Sequence, residues 1–517
     1  MTKPSPPTAP SVGFISLGCP KNLVDSEVMM GLLDRAGARL TAHPEEAEIL
    51  VVNTCSFIDA AKQESVDTIL EMARHKLAGT AKKLIVAGCL VERYRDEIRK
   101  SIPEVDAVVG AGELESILRA AGLDAAGLTT SEAAPSPFNI LSSSHAAEIH
   151  PGQESRAATH APGPPTVTFG RGDKNARTAS SRFRRDGWQG AAHCLPTYLY
   201  DEKTPRVLTT PKSSAYIKIA EGCDHPCSFC VIPNLRGKFR SRRFESVVAE
   251  AQQLVARGVQ EITLIGQDTT CYGEDLGLKD GLALLLDRLA QIPNLRWLRF
   301  LYAYPNRITG RLLDTIARHG NICKYLDLPL QHASPAVLKR MKRGGSAEIF
   351  LKTLEKVRAT VPGIALRTSF IAGFPGESLC DFELLEEFIK KANFDWLGVF
   401  SYSDEEGSGA FSLDQKIPRR TIESRKRRLM KLQQSISRRA KQQWVGRELV
   451  LFAEGESEET PLLWEGRTQF HAPEIDGKVY INDFGELVAL EPGRFYRTQI
   501  TEAHDYDVVA RILSGPM

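Results

Sequence analysis

The sequence predicts an α/β chain in three parts: a parallel-sheet amino-terminal domain, a partial (β/α)6 barrel, and a small carboxyl-terminal all-β barrel. Three observations carry that expectation. Strand-like and helix-like runs alternate over residues 11–125 and again over 211–415, the pattern of repeated βα units. A long Pro-, Ser- and Gly-rich stretch separates the two regions. The last part, residues 443–514, holds only short strand-like runs broken by Gly, Asp and Pro.

At 517 residues the chain exceeds what one core accommodates. Its 42% hydrophobic and 25% charged residues are those of a globular protein. Lys+Arg 66 against Asp+Glu 64 leaves +2, so no bulk charge steers the chain to nucleic acid. The opening "MTKPSPPTAPSVGFIS" lacks a signal-peptide core, and runs such as "ILVV" and "LIVAG" are too short to span a bilayer. A cytoplasmic protein without membrane contact is expected, where thiols stay reduced. Ten cysteines then point to metal or redox chemistry rather than disulfides.

In the first region "VGFISLG", "EILVVNT", "KLIVAG" and "DAVVG" read as strands, each followed by a helical run. Residues 126–210 show no period and too little apolar surface to offset their ordering entropy, so they read as a disordered linker. Six further strands begin at "SAYIKIAEGC" and continue through "EITLIGQD", "LRFLYAYP", "YLDLPLQH", "ALRTSFIAGFPGE" and "WLGVFSYS". Eight would close a circle; six leave it open, with the chemistry at the carboxyl ends of the strands. A basic helix is expected over 416–442, where Lys416 to Lys441 holds eleven basic residues and one acidic. It leads to the strand-like "ELVLFAE", "KVYIND", "FYRTQITEA" and "DVVARIL".

Two cysteine patterns stand at strand ends. "AEGCDHPCSFC" places Cys223, Cys227 and Cys230 directly after the first barrel strand. Thiolate clusters and zinc sites usually take four protein ligands. A Cys3His zinc site using His225 is one completion, but so tight a loop leaves almost no slack for four converging ligands. A four-iron cluster on three thiolates is the other, with one iron open to an exogenous ligand. Cys19, Cys55 and Cys89 form the second pattern, each ending a strand one βα unit from the last. Parallel strands bring those ends to one sheet edge, where open α/β sheets bind ligands. A lone cysteine there would be simple packing; three in register favour a second three-thiolate cluster. Cys323 and Cys380 read as packing, Cys194 lies in the linker, and Cys271 lies near the barrel site without a partner.

Cys-x-x-x-Cys-x-aromatic-Cys, with Phe229 as the aromatic, resembles the radical S-adenosylmethionine enzymes. The resemblance implies that the cofactor's amino and carboxylate groups complete the cluster, and that reductive cleavage yields a 5′-deoxyadenosyl radical. The order of three-cysteine domain, radical barrel and terminal β-barrel is similar to that of the methylthiotransferases, and the last module resembles a TRAM domain. "SLGCPKNLVDSE", "VNTCSFIDAAKQESVDTI", "LPLQHAS", "LKRMKRGGS" and "RTSFIAGFPGE" are similar to the branch that modifies an aspartate of small-subunit ribosomal protein twelve. That branch implies two 4Fe-4S clusters, on Cys19, Cys55 and Cys89 and on Cys223, Cys227 and Cys230. One S-adenosyl-L-methionine methylates a sulfur at the first; a second is cleaved at the other, and the radical takes hydrogen from the aspartate β-carbon. A sulfur source and an electron donor such as flavodoxin or ferredoxin are implied as partners. On position alone Gln267, Asp268, Gln331, Arg367 and Ser369 are candidates to bind the cofactor. No residue is assigned a catalytic acid or base role.

Charge bears on the substrate. Residues 443–517 hold six Lys/Arg and fourteen Asp/Glu, a net of 6 − 14 = −8. An RNA-binding surface should be basic, so the acidic module suits a basic ribosomal protein. The basic helix keeps ribosomal RNA nearby as a partner, and a tRNA adenosine methylthiotransferase as the alternative function. A non-catalytic iron–sulfur factor that binds RNA or aids assembly is the second alternative.

Overall fold

Apolar runs build the first sheet. Its strands are β1 (Ser11–Ser16), β2 (Arg39–Thr41), β3 (Ile49–Thr54), β4 (Lys83–Gly88) and β5 (Ala107–Gly110), all parallel, in the order β2-β1-β3-β4-β5. Every residue of β3 is buried, as expected of a parallel strand covered on both faces. The covering helices are α1 (Pro20–Arg35), α2 (Asp59–Ala78), α3 (Cys89–Ser101) and α4 (Ser116–Ala121). The four expected βα pairs are present; β2 is an additional edge strand whose three residues, "RLT", are too few to show a period.

The computed structural model describes residues 9–79, 81–123, 197–460 and 462–517. The chain divides into two units, residues 1–209 with 231–238, and residues 210–230 with 239–517. The expected linker therefore ends earlier than 210. Residues 124–196, Cys194 among them, lie outside the described residues, whereas 197–209 belong to the first unit. Arg206 Nε donates to Glu27 Oε2 at 2.8 Å and the Val207 amide to the Glu27 carbonyl at 3.1 Å. Glu27 has no solvent exposure, so it requires a cation beside it. The short helix α5 (Ile232–Arg236) also belongs to this unit.

In the second unit β6 (Ser214–Lys218) runs into β7 (Ala220–Glu221), which pairs with β8 (Arg240–Ser241). β6, β9 (Glu261–Ile265) and β10 (Trp297–Phe300) form one parallel sheet. β11 (Tyr325–Asp327), β12 (Ala365–Ala372) and β13 (Trp396–Ser401) form a second. A parallel bridge between Leu298 and Ile322 joins them, giving the six strands of an open barrel in chain order. The helices α6 (Phe244–Ala256), α7 (Gly281–Leu289), α8 (Gly310–Arg318), α9 (Pro335–Arg340), α10 (Ala347–Thr360) and α11 (Leu379–Ala392) alternate with them. The basic segment is helix α12 (Arg419–Gln442).

The last strands are β14 (Glu448–Glu456), β15 (Trp464–Thr468), β16 (Val479–Asp483), β17 (Phe495–Ala503) and β18 (Val508–Ser514), closed into a barrel in the order β14-β15-β16-β18-β17. β15, "WEGRT", carries too little apolar pattern to read as a strand. This barrel packs at the amino ends of the open barrel's strands. Tyr325, the first residue of β11, donates to Asp476 at 2.6 Å, and Trp396, the first of β13, donates from Nε1 to the Phe470 carbonyl at 2.7 Å. The carboxyl ends are left for chemistry. Among the described residues no helix is long and apolar enough to cross a membrane.

Candidate functional site

In the first unit the strand order reverses between β1 and β3, the place where such sheets bind ligands. Cys19 stands at the start of α1 after β1, Cys55 follows β3 directly, and Cys89 opens α3 directly after β4. The backbone is shaped for that convergence. Gly18 has φ +88, and a Cβ there would stand 2.7 Å from Cys55 Cβ and 2.9 Å from its Sγ. Gly88 has φ +93, and its Cβ would lie 2.3 Å from Asn53 Oδ1. Burial pushes the Cys55 thiol up to about 12, and the neighbouring Cys19 and Cys89 raise it further. Three thiols this close together need a positive partner to ionise.

In the second unit Gly222 separates β7 from Cys223. Burial pushes Cys223 up to about 11, with Cys227 adding to the rise. The loop is held on both sides. The Ser228 amide donates to the Met341 carbonyl at 3.0 Å, and its hydroxyl to the Arg340 carbonyl at 2.8 Å. Arg343 Nη1 lies 3.5 Å from Cys227 Sγ, and its guanidinium carbon sits 4.5 Å over the Tyr304 ring. Tyr304 in turn stacks on His225 at 3.9 Å.

His225 is also held from its other edge by a carboxylate. Its Nε2 is 2.6 Å from Asp268 Oδ2. Among the described residues, the ligand atoms of His225, Asp268 and Cys271 all lie within 4.8 Å of one another. A single tetrahedral ion with Zn–S bonds of about 2.3 Å holds its thiolates roughly 3.8 Å apart. Each triad offers three of the four thiolates that a four-iron cluster takes.

The cofactor candidates divide. Gln267 and Asp268 follow β9 at its carboxyl end. Gln267 Nε2 donates to Glu221 Oε1 at 2.5 Å, and its Oε1 is buried without a hydrogen-bond partner. Glu221 also pairs with Lys218 at 2.6 Å. Of these polar groups, Glu221 stands two residues before Cys223. Burial would raise the Asp268 carboxyl, but hydrogen bonds from His225, Cys271 and Thr270 hold it below the usual range. Cys271, expected to be unpartnered, donates to Asp268 Oδ2 at 2.9 Å. Gln331 follows β11 with φ +71, its amide on the Ser369 carbonyl at 2.8 Å. Arg367, near the start of β12, bonds Asp327 at 2.9 Å and lies 3.5 Å from Asp476 of the closed barrel. Lys218, Glu221, Tyr304 and Arg343 escaped the sequence reading, although Arg343 lies in the quoted "LKRMKRGGS".

Three family models match successive parts of the chain: Uncharacterized protein family UPF0004 at residues 11–110, Radical SAM superfamily at 217–389, and TRAM domain at 445–513. The open barrel and its cysteine loop thus define a radical S-adenosylmethionine enzyme, with S-adenosylmethionine and an iron–sulfur cluster as cofactors. The chain is 64% identical to "Ribosomal protein uS12 methylthiotransferase RimO" of Koribacter versatilis (strain Ellin345), over 99% of this chain and 98% of that one. It is 54% identical to the protein of the same name from Solibacter usitatus (strain Ellin6076), over 97% and 95%. The chain belongs to the ribosomal protein uS12 methylthiotransferase RimO family. Among solved structures, the radical S-adenosylmethionine methyltransferase TsrM from Kitasatospora setae aligns with TM-score 0.47 and 15% identity, over 76% of this chain and 72% of that one.

Proposed function

We propose that this chain transfers a methylthio group to the β-carbon of an aspartate in ribosomal protein uS12. One observation carries the reading: two separate three-thiol sets, each at the carboxyl ends of parallel strands, one in each unit. The name shared by the full-length relatives supports the substrate. Cys19, Cys55 and Cys89 would hold one four-iron cluster, and Cys223, Cys227 and Cys230 the other. When bound, the second cluster and S-adenosylmethionine supply a carbon radical. The chain's own residues hold and insulate that site. Ser228 fixes the cysteine loop to the Arg340 and Met341 carbonyls. Arg343 puts positive charge against Cys227. Gln267 and Glu221 offer polar atoms for the amino and carboxylate groups of the methionine moiety, and Asp268 keeps His225 stacked on Tyr304.

The terminal barrel, net −8 over residues 443–517, suits a basic protein better than RNA. Arg420, Arg427, Lys431 and Arg439 of α12 are exposed, which supports contact with ribosomal RNA around the target. The turnover requires a sulfur source and a one-electron donor of flavodoxin or ferredoxin type, and a cytoplasmic setting follows from that substrate. We divide the chain into residues 11–125, the radical barrel at 211–415, the helix at 416–442 and the closed barrel at 443–514. Anaerobic incubation with S-adenosylmethionine, a reductant, and either uS12 or tRNA tests the reading by product mass. Gain of a methylthio group on uS12 is the expected result; modified adenosine in tRNA with no gain on uS12 overturns it.

A further inference from the structure

One buried cation faces the first thiol set from an unexpected part of the sequence. Arg236 ends α5, six residues after Cys230, yet belongs to the first unit. It is 2% exposed. Its Nη1 donates to Asp25 Oδ2 at 2.5 Å, and its Nη2 to Asn22 Oδ1 at 3.2 Å. Asn22 Nδ2 donates to the Leu17 carbonyl at 2.7 Å, in the turn that carries Cys19. Val231 and Leu235, from the same segment, pack on Cys89. Burial raises the Cys89 and Cys55 thiols, and the Arg236 charge works against that rise at both.

A buried arginine held by one carboxylate would ordinarily be a structural ion pair. This pair stands against thiols rather than among apolar side chains, and charge beside cluster sulfurs sets how readily a cluster accepts an electron. We propose that Arg236 is a positioning residue for the Cys19, Cys55 and Cys89 site: oriented by Asp25 and Asn22, it places positive charge beside those sulfurs and sets the reduction potential of the cluster they bind. This rests on the two-cluster reading above.

The test separates the two ideas. The full chain carrying Cys223→Ala, Cys227→Ala and Cys230→Ala is loaded anaerobically, and its iron and reduction potential are measured by spectroelectrochemical titration. An iron-free parent overturns the cluster on Cys19, Cys55 and Cys89, and this proposal with it. In a loaded parent, Arg236→Met should lower the potential and speed iron loss to a chelator, whereas Asp25→Asn should raise the potential. Arg236→Lys, which keeps the charge and loses the fork, should fall between the parent and Arg236→Met. Because Arg236→Met leaves Asp25 buried and unpaired, the neutral pair Asp25→Asn/Arg236→Met is measured beside it. A folded pair should still lose iron faster than the parent, since the charge at Cys89 is gone. A loaded parent whose potential and iron retention are the same in Arg236→Met and in the neutral pair overturns the proposal and leaves a structural ion pair.

Discussion

Arg467 of β15 forks onto Glu261, the first residue of β9, with Nη1 2.7 Å from Oε1 and both side chains almost fully buried. Arg299 approaches the same carboxylate at 3.6 Å, and Ser214 donates to it at 3.0 Å. Glu261 thus faces two arginines where the closed barrel meets the open one, and Glu454 accepts from Arg467 Nε at 2.7 Å. Breaking such a pair by removing one partner costs about 3–5 kcal/mol, because the other charge stays buried.

Glu261→Gln should therefore destabilise the second unit by that order, read as a lower denaturant midpoint. Glu261→Gln/Arg467→Met should cost less, since the pair leaves together, although Arg299 remains. The pair also predicts acid sensitivity. Burial would raise the Glu261 carboxyl, but Arg467 outweighs it and the pKa is lowered. A depressed carboxylate stabilises the fold above its unfolded pKa, and that stability is lost as pH falls through the folded value. Glu261→Gln should flatten the acid side of the stability profile. An unchanged midpoint and acid limb would show the joint to be held by other contacts.

Iron content checks the two thiol sets independently. Replacing Cys223, Cys227 and Cys230 by Ala should leave about half the iron, and so should replacing Cys19, Cys55 and Cys89, if each binds one four-iron cluster. Complete loss in either folded variant contradicts separate sites. Zinc as the only metal in an anaerobic preparation would overturn the radical reading.

Lys441 gives a pH-dependent test in the opposite range. It has no solvent exposure, and its Nζ sits 3.6 Å from the Trp396 ring centroid and 4.2 Å from that of Trp444. The indole faces favour the ammonium, but burial pulls its pKa down from 10.5 to about 8. Between those two values the unfolded chain binds the proton and the folded chain does not, so stability rises with pH across that window. Lys441→Met should be more stable than the parent at pH 7, by about 1–3 kcal/mol. The gain should shrink from pH 8 to 10.5. The midpoint followed by tryptophan fluorescence measures it; a variant less stable at pH 7 would show that the aromatic contacts outweigh burial.

The strands, and the place of the six cysteines at their carboxyl ends, were legible because each lies in or beside a long apolar run that ends in a turn. β2 and β15 were not, since three residues or an internal Glu-Gly-Arg carry no period. Polar partners were the least legible. Arg236 reaches Asp25 across 211 positions, and Arg467 reaches Glu261 across 206; only the fold brings such pairs together. Arg367 shows the same limit: its ion pairs with Asp327 at 2.9 Å and Asp476 at 3.5 Å could not be read from its place in a strand.

The acidic barrel yields the prediction that separates substrates. Glu454 is excluded from the patch, because its carboxylate accepts from Arg467 Nε at 2.7 Å and is part of the buried joint. Glu456, Glu458 and Glu459 are exposed. Reversing these three to Lys should slow methylthiolation of uS12, because complementary surface charge governs encounter with a basic partner. The effect should fade as salt rises, since exposed charges are screened beyond about 8–10 Å at physiological ionic strength. Cleavage of S-adenosylmethionine without substrate should persist, because Cys223, Cys227 and Cys230 lie at the opposite ends of the barrel strands from this module. A tRNA substrate predicts the reverse sign: added lysines would leave binding unchanged or tighten it. The measurement is the initial rate of mass gain on uS12 for parent and variant, at low and high salt. An equal rate at both salt concentrations would show that the acidic face takes no part in recognising the ribosomal protein.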